Sequence, residues 1–313
     1  MSTLKVDTIT DEAGTGAPTL SQGLTVNGGT IKLDGNYPVG SDNVALGDTA
    51  LDSLTSGNFN TAFGAKALKA NTEGSFNVAA GRLTLTSNTT GQHNAAIGSD
   101  ALQGNTTGNY NTALGNGALA YNTTASNNTA VGFLAGYSNV AAGAQVFVGY
   151  KAGYATTTGG GSSTFVGYEA GLSNTTGGNN TALGRGSFLD NTTGSNSVAL
   201  GYDALANNTT ASYNTAVGYL AGYSNTTGSA NVFVGENAGY FNTNQHNTFL
   251  GAGAGYFVTS GQKNTVLGRY NGNQGGLDIR TSSNNIVLSD GDGNSRLHNT
   301  LYGSNYTWWA GNG

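Results

Sequence analysis

A glycine recurs about every 17 residues through the middle three-quarters of this chain, a regularity that a single globular core does not produce. The positions are Gly47, Gly64, Gly81, Gly98, Gly115, Gly132, Gly149, Gly167, Gly184, Gly201, Gly218, Gly235, Gly251 and Gly268, each interval being 17 give or take one. Periods of this length mark architectures in which one short unit stacks on the next. With each glycine set to position zero, fourteen units align. Position −1 is always apolar (Leu46, Phe63, Ala80, Ile97 and onward to Leu267), and −2 is Ala, Phe or Val. Position −4 is almost always Asn, with Gln145, Ser163 and Ser197 as exceptions. A stretch such as Asn214-Thr-Ala-Val-Gly218 is too short for a helix and rich in β-formers, so each unit predicts one short strand. A second apolar segment follows (Ala67-Leu68, or Ala135-Gly136-Tyr137), then a polar turn, typically Asn-Thr-Thr-Gly as in 88–91.

Two positions exchange volume. Where the second segment reads Ala-Leu, as at Leu51, Leu68, Leu102, Leu119 and Leu205, the next unit carries Ala62, Ala79, Ala113, Ala130 and Ala216 at −2. Where it reads Ala-Gly-Tyr, as at Tyr137, Tyr154, Tyr223, Tyr240 and Tyr256, the next unit carries Phe147, Phe165, Phe233, Phe249 and Val266. Close-packed cores tolerate such compensated exchanges and penalise uncompensated ones. Consecutive units are therefore expected to stack and share one core, which makes the fold class all-β, a solenoid or β-roll of 17-residue units. At ~4.8 Å per rung, thirteen steps span roughly 60 Å. Three intertwined chains would give another rise, and the repeat fits either arrangement. The glycine column has two readings: a corner at positive φ, or a place where a neighbouring backbone leaves no room for a Cβ.

Composition narrows the function classes. Charged residues are 9% of the chain, Gly accounts for 52 residues and Pro for only two. That is far from the usual soluble domain and from collagen-like or Pro-rich chains. The net charge is −5 with Lys and Arg scattered, so no basic stripe exists to neutralise nucleic-acid phosphates. No run is long and apolar enough for membrane insertion. The opening residues lack the apolar stretch of a signal peptide. Without cysteine there are no disulfides or thiolate metal sites.

Units such as Asn214-Thr-Ala-Val-Gly-Tyr-Leu-Ala-Gly-Tyr-Ser-Asn-Thr-Thr-Gly228 resemble the head repeats of trimeric autotransporter adhesins, which are trimeric left-handed β-rolls on a similar apolar-x-Gly motif. The unit here is longer, its extra residues falling in the Asn-Thr-Thr-Gly turn. A closer resemblance is to phage tail fibres, many of which carry such repeats. Met1-Ser-Thr-Leu-Lys-Val-Asp-Thr-Ile9, followed by Gly14-Thr-Gly-Ala-Pro18, is similar to the virion-proximal start of such fibres, notably in cyanophages. Ser283-Asn-Asn-Ile-Val-Leu-Ser-Asp-Gly-Asp-Gly-Asn294 is similar to fibre sequence near the distal end. The resemblance implies a homotrimeric tail fibre subunit, made in the host cytoplasm and located on the virion, attaching it to the host surface or to a separate adhesin. Its expected organisation is a virion-attachment segment over 1–40, docking a tail or baseplate protein; a shaft over 41–272; and a distal tip over 273–313. The tip would meet a host glycan or a distal fibre protein. The alternatives are a tailspike polysaccharide depolymerase and a bacterial surface adhesin.

Several residues carry candidate chemistry. Tyr306, Trp308 and Trp309 place aromatic rings at the chain end, suited to sugar stacking, to an interface, or to plugging the core. Position +1 holds Phe133, Tyr150, Tyr168, Tyr202 and Tyr219, an aromatic ladder for polysaccharide or for subunit packing. Asp290, Asp292 and Asn294 have the alternate spacing of a calcium loop, but Ser295 stands where that loop needs Gly and Leu301 where it needs Glu, so a polar hairpin turn is the better reading. Glu169 and Asp203 share position +2 two units apart, and glycan hydrolysis needs two such carboxylates. Their column also holds Lys66, Leu83 and Lys151, which reads as a solvated face with a Lys151–Glu169 ion pair. His93, His246 and His298 assemble no nucleophile and base. No catalytic residues and no cofactor are expected.

Overall fold

The computed structural model describes residues 40–158, 161–302 and 305–310 of the 313; from 300 onward it describes the backbone course. Fourteen three-residue strands run from β1 (Val44–Leu46) to β14 (Thr265–Leu267), one in each unit. Consecutive strands pair in parallel without a shift, Val44 opposite Thr61 and Ala45 opposite Ala62, and so on through Val266 opposite Phe249. The chain is thus a β-solenoid with one unit per rung, and no helix occurs among the described residues.

The strand supplies only part of the bonding between rungs. On a second side, Leu68 N–H donates to Thr84 O at 3.0 Å and Ala70 N–H to Thr86 O at 3.0 Å. On a third, Thr72 N–H donates to Thr89 O at 3.0 Å, and the Thr72 hydroxyl reaches the same oxygen at 3.1 Å. Backbone bonds between rungs therefore run on three sides of the contour.

Both readings of the glycine column hold at once. Gly98 has φ +124°, and a Cβ there would lie 2.6 Å from the carbonyl carbon and oxygen of Gly115. The other corners are turned by residues that usually avoid left-handed backbone. Phe76 at −5 has φ 59°, Lys66 at +2 has 62° and Leu68 at +4 has 50°, and the same three positions repeat this along the stack. A left-handed L-residue costs roughly 1–2 kcal/mol, which core burial and the bonds between rungs offset.

The core is narrow. In leucine rungs it holds Ala at −2, Ala at +3 and Leu at +4, for instance Ala96, Ala101 and Leu102, all fully buried. In phenylalanine rungs, Phe147, Phe165, Phe233 and Phe249 occupy −2 and glycine occupies +4. A Cβ on Gly171 would lie 2.5 Å from Phe165, and one on Gly255 2.5 Å from Phe249. The exchange is therefore made largely within a rung. At the entry to each aromatic block it spans two rungs: a Cβ on Gly222 would meet Phe233 of the next rung at 2.5 Å and Leu205 of the preceding one at 3.0 Å. That transitional rung carries Ala216 and Gly222 and so admits the large residues on either side.

Two columns of buried asparagine flank this core. At −4, Asn60 N–H donates to Asn43 Oδ1 at 2.8 Å, and Asn60 Nδ2 donates to Gly74 O at 2.8 Å. The substitutions keep the chain of bonds: Gln145 N–H donates to Asn128 Oδ1, Ser163 N–H to Gln145 Oε1, and Asn180 N–H to Ser163 Oγ. At +7, the first residue of the Asn-Thr-Thr-Gly turn is buried too. Asn88 Nδ2 donates to Asn71 Oδ1 at 2.7 Å, and Asn105 Nδ2 to Asn88 Oδ1 at 2.8 Å. The glycosylation-like Asn88 and Asn105 are thus interior and already bonded.

After Gly268 the rung pattern opens. A hairpin, β15 (Asn273–Gln274) with β16 (Leu277–Asp278), is inserted before β17 (Asn285–Ser289) rejoins the stack. β17 pairs in parallel with β14, Ile286 opposite Thr265 and Leu288 opposite Leu267, so the sheet runs on to Ser289, which takes the glycine position. Tyr270 is buried beneath, its hydroxyl donating to Leu277 O at 2.6 Å, and burial pushes that hydroxyl's pKa up. β18 (Ser295–Tyr302) and β19 (Asn305–Ala310) then add to β17 as antiparallel strands.

Candidate functional site

The +1 ladder lies on the outer surface beside the sheet. Phe133, Tyr150, Tyr168, Tyr202 and Tyr219 are all exposed. Ring centroids are 5.5 Å apart for Phe133–Tyr150, 4.9 Å for Tyr150–Tyr168 and 5.3 Å for Tyr202–Tyr219, with stacked planes. Arg185 fills the gap, its guanidinium 5.7 Å from the Tyr168 ring and 5.1 Å from the Tyr202 ring, with one N–H donated to the Tyr202 hydroxyl. Each interior ring thus has its faces covered by the neighbouring rungs and presents its edge and hydroxyl outward. Sugar stacking needs a free face, and the interior of this ladder offers none.

Two more stacks emerge, one of mixed residue types and one built from tyrosines of the Ala-Gly-Tyr segments. Phe59, Phe76, His93 and Tyr110 stack at −5 with centroids 4.8–4.9 Å apart. Tyr223, Tyr240 and Tyr256 stack at +5 with centroids 5.2 Å apart. His93 is therefore one plate in an aromatic column.

The carboxylates at +2 are partly covered. Asp203 leans over Gly186, the glycine of the intervening rung, and burial raises its pKa against the pull of Arg185. Lys151 makes no ion pair with Glu169 among the described residues; its ammonium sits 5.2 Å from the Tyr150 ring and 5.7 Å from the Tyr154 ring. The expected pair gives way to cation–π contacts with the neighbouring rings.

Asp290 closes the turn between β17 and β18. It accepts the backbone N–H groups of Asp292 at 3.1 Å and Asn294 at 2.9 Å, and Arg296 Nε at 2.8 Å. The Asn294 N–H first, then the Asn294 amide and Arg296, hold its carboxyl down at about 2. Asp292 is exposed. Among the described residues no group of three or more His, Cys, Asp or Glu side chains is placed to hold a metal. His298 faces Asn285 Oδ1 at 3.2 Å, and burial lowers its pKa.

Tyr306, Trp308 and Trp309 lie on β19, opposite Leu301, Asn299 and His298 of β18 in the backbone register. Their side chains, and residues 1–39 of the expected attachment segment, lie outside what is described. No helix among the described residues is long and apolar enough to cross a membrane.

The broadest exposed feature is the outer face of the sheet. Position −1 forms a column of aliphatic and aromatic side chains, with Leu46, Phe63, Ile97, Leu114, Leu183 and Leu250 each about half exposed. Val78, Val232 and Ile286 add exposed apolar area at −3. Parallel sheets normally have both faces covered, and a continuous apolar strip of this length marks an interaction surface. No family model, curated protein or solved structure matches this chain.

Proposed function

We propose that the chain is a structural subunit of a phage tail fibre, assembled as a homotrimer, that attaches the virion to the host surface or joins it to a separate adhesin. The observation carrying this reading is the unbroken apolar column at position −1 on the outer face of the parallel sheet. A partner covering that strip must present apolar side chains at the same spacing over the same length, and further copies of this chain do so by construction. A regular shaft with a different fold at its distal end fits a spacer. Residues 1–40 would dock a tail or baseplate protein, and the tip would meet a host glycan or a distal fibre protein.

Sedimentation of the full chain tests the assembly: a species three times 31.5 kDa is expected, and a monomer of 31.5 kDa would overturn the trimer. Leu114→Glu with Leu183→Glu should dissociate it while leaving the β-rich circular dichroism spectrum intact. Gold-labelled antibody on particles should decorate tail fibres. Oligosaccharide released from capsule or lipopolysaccharide would instead move the chain to the depolymerase class.

A further inference from the structure

We propose that a pocket where the shaft meets the tip binds a saccharide unit of a cell-surface polysaccharide. This deepens the attachment reading, on which it rests, by giving the ligand a class and a place.

The argument starts from which ring faces are free. Tyr240 is stacked on both sides, by Tyr223 and Tyr256, each 5.2 Å away. Tyr256 is the last plate of that column, and Phe257, parallel to Phe241 at 6.3 Å, packs edge-to-face with Tyr256 at 4.8 Å. The next rung would carry the following rings, but the chain supplies Asn271 there and then, in β15, Gln274 instead. Among the described residues no further ring stacks on the far side of Tyr256 or Phe257. Both rings line a cavity of about 380 Å³, within the usual range for a small-ligand site.

The remaining lining is polar and planar. Arg269, Asn271, Gln274 and Asp292 surround the rings. Arg269 makes no ion pair among the described residues, so its guanidinium fork is available to hydroxyl or carboxylate oxygens. Gln274 donates Nε2–H to Asp292 O at 2.9 Å, and Phe257 N–H donates to Asn271 O at 2.8 Å; the hairpin and the β17–β18 turn are thereby fixed against the last rung. Gly253 opens the floor: earlier rungs have Asp203, Leu220 and Asn237 at this position, whereas a Cβ on Gly253 would meet nothing within 4 Å. Apolar ring faces for the C–H side of a pyranose, ringed by Arg, Asn, Gln and Asp for its hydroxyls, are what sugar recognition needs.

The same column supplies a clean blocking variant. Leu220 adopts φ 52° there and Gly253 has φ 67°, so Gly253→Leu should fill the pocket without disturbing the rung. Full-length protein is applied to an array of purified bacterial lipopolysaccharides and capsular polysaccharides. The expected result is retention on at least one glycan, reduced at least about tenfold by Gly253→Leu and by Arg269→Ala, with melting temperatures unchanged. Trp308→Ala with Trp309→Ala should leave retention intact. Loss with the tryptophan variant but not with Gly253→Leu would place the ligand at the chain end and overturn the pocket while the attachment reading stands. Retention on no glycan would also overturn the pocket, and the labelling of particles would then decide the attachment reading separately.

Discussion

Around Gly98 the core of a rung is Ala96 and Leu102; around Gly235 it is Phe233 and Gly239. The strands pair in the same register, the corners have similar φ angles, and the −4 asparagine column passes through both regions. Only the side from which the interior is filled differs, from +4 in the first and from −2 in the second. The backbone of this solenoid is thus specified by its corners and its polar columns, while the apolar filling is interchangeable so long as its volume is kept. The border between the two fillings is where constraint gathers, because Ala216 and Gly222 must leave room for both neighbours.

If corners outrank filling, Gly98→Ala and Gly235→Ala should be equally damaging, each by about 4 kcal/mol or more, since each adds backbone strain to a backbone clash. Thermal melts of the two variants check this, and unequal losses would break the equivalence of the two regions. Filling comes next. Phe233→Ala should cost about 3–5 kcal/mol. Adding Gly239→Leu should restore part of that, and Gly222→Leu should restore less, because Leu205 already crowds Gly222; denaturant titrations distinguish them. No recovery from either would mean that these positions do not share a core.

The asparagine columns sharpen the comparison further. Asn105 gives and receives ladder bonds, donating to Asn88 at 2.8 Å and accepting from Asn122 at 2.8 Å. Asn105→Ala should cost about 1–3 kcal/mol. Asn242 is equally buried, yet neither of its amide atoms has a partner, because the turn after it is one residue shorter and the next rung has Val258 in its place. Asn242→Val should therefore be neutral or stabilising in the same melts.

The smallest effect belongs to the tip. Asp290 is held from 3.8 down to about 2 in the folded state. Its contribution is present above the unfolded value and is lost as pH falls through about 2. Amide exchange in the β17–β18 turn should quicken over that range while shaft amides stay protected, and Asp290→Asn should remove the pH dependence.

Much of this was legible in the sequence. Fixed spacing predicted the stack of units, and the Leu/Gly and Ala/Phe exchange predicted the shared core. Other features were hidden for physical reasons. Phe76, Lys66 and Leu68 carry no mark of left-handed backbone; closure of the rung imposes it on them. Asn71 and Asn88 look like turn residues because Asn suits both a turn and a buried ladder, and only the stacking of turns decides. The +1 aromatic column was visible, but that its rings cover one another's faces follows from the rung spacing. The role of Tyr256 and Phe257 in the pocket was hidden in the sequence, since what singles them out is the departure of β15 after them.

The transitional rung at Ala216 and Gly222 also bears on how such a chain can change length. A duplicated unit lengthens the stack by a whole rung, about 4.8 Å, so size varies in integers. A leucine unit copied among leucine units meets neighbours it already fits, whereas the same copy set beside Phe233 would collide with it. The order of fillings along the chain is therefore a grammar for recombination: it marks where units can be gained or lost freely, and where a small-residue spacer must come with them.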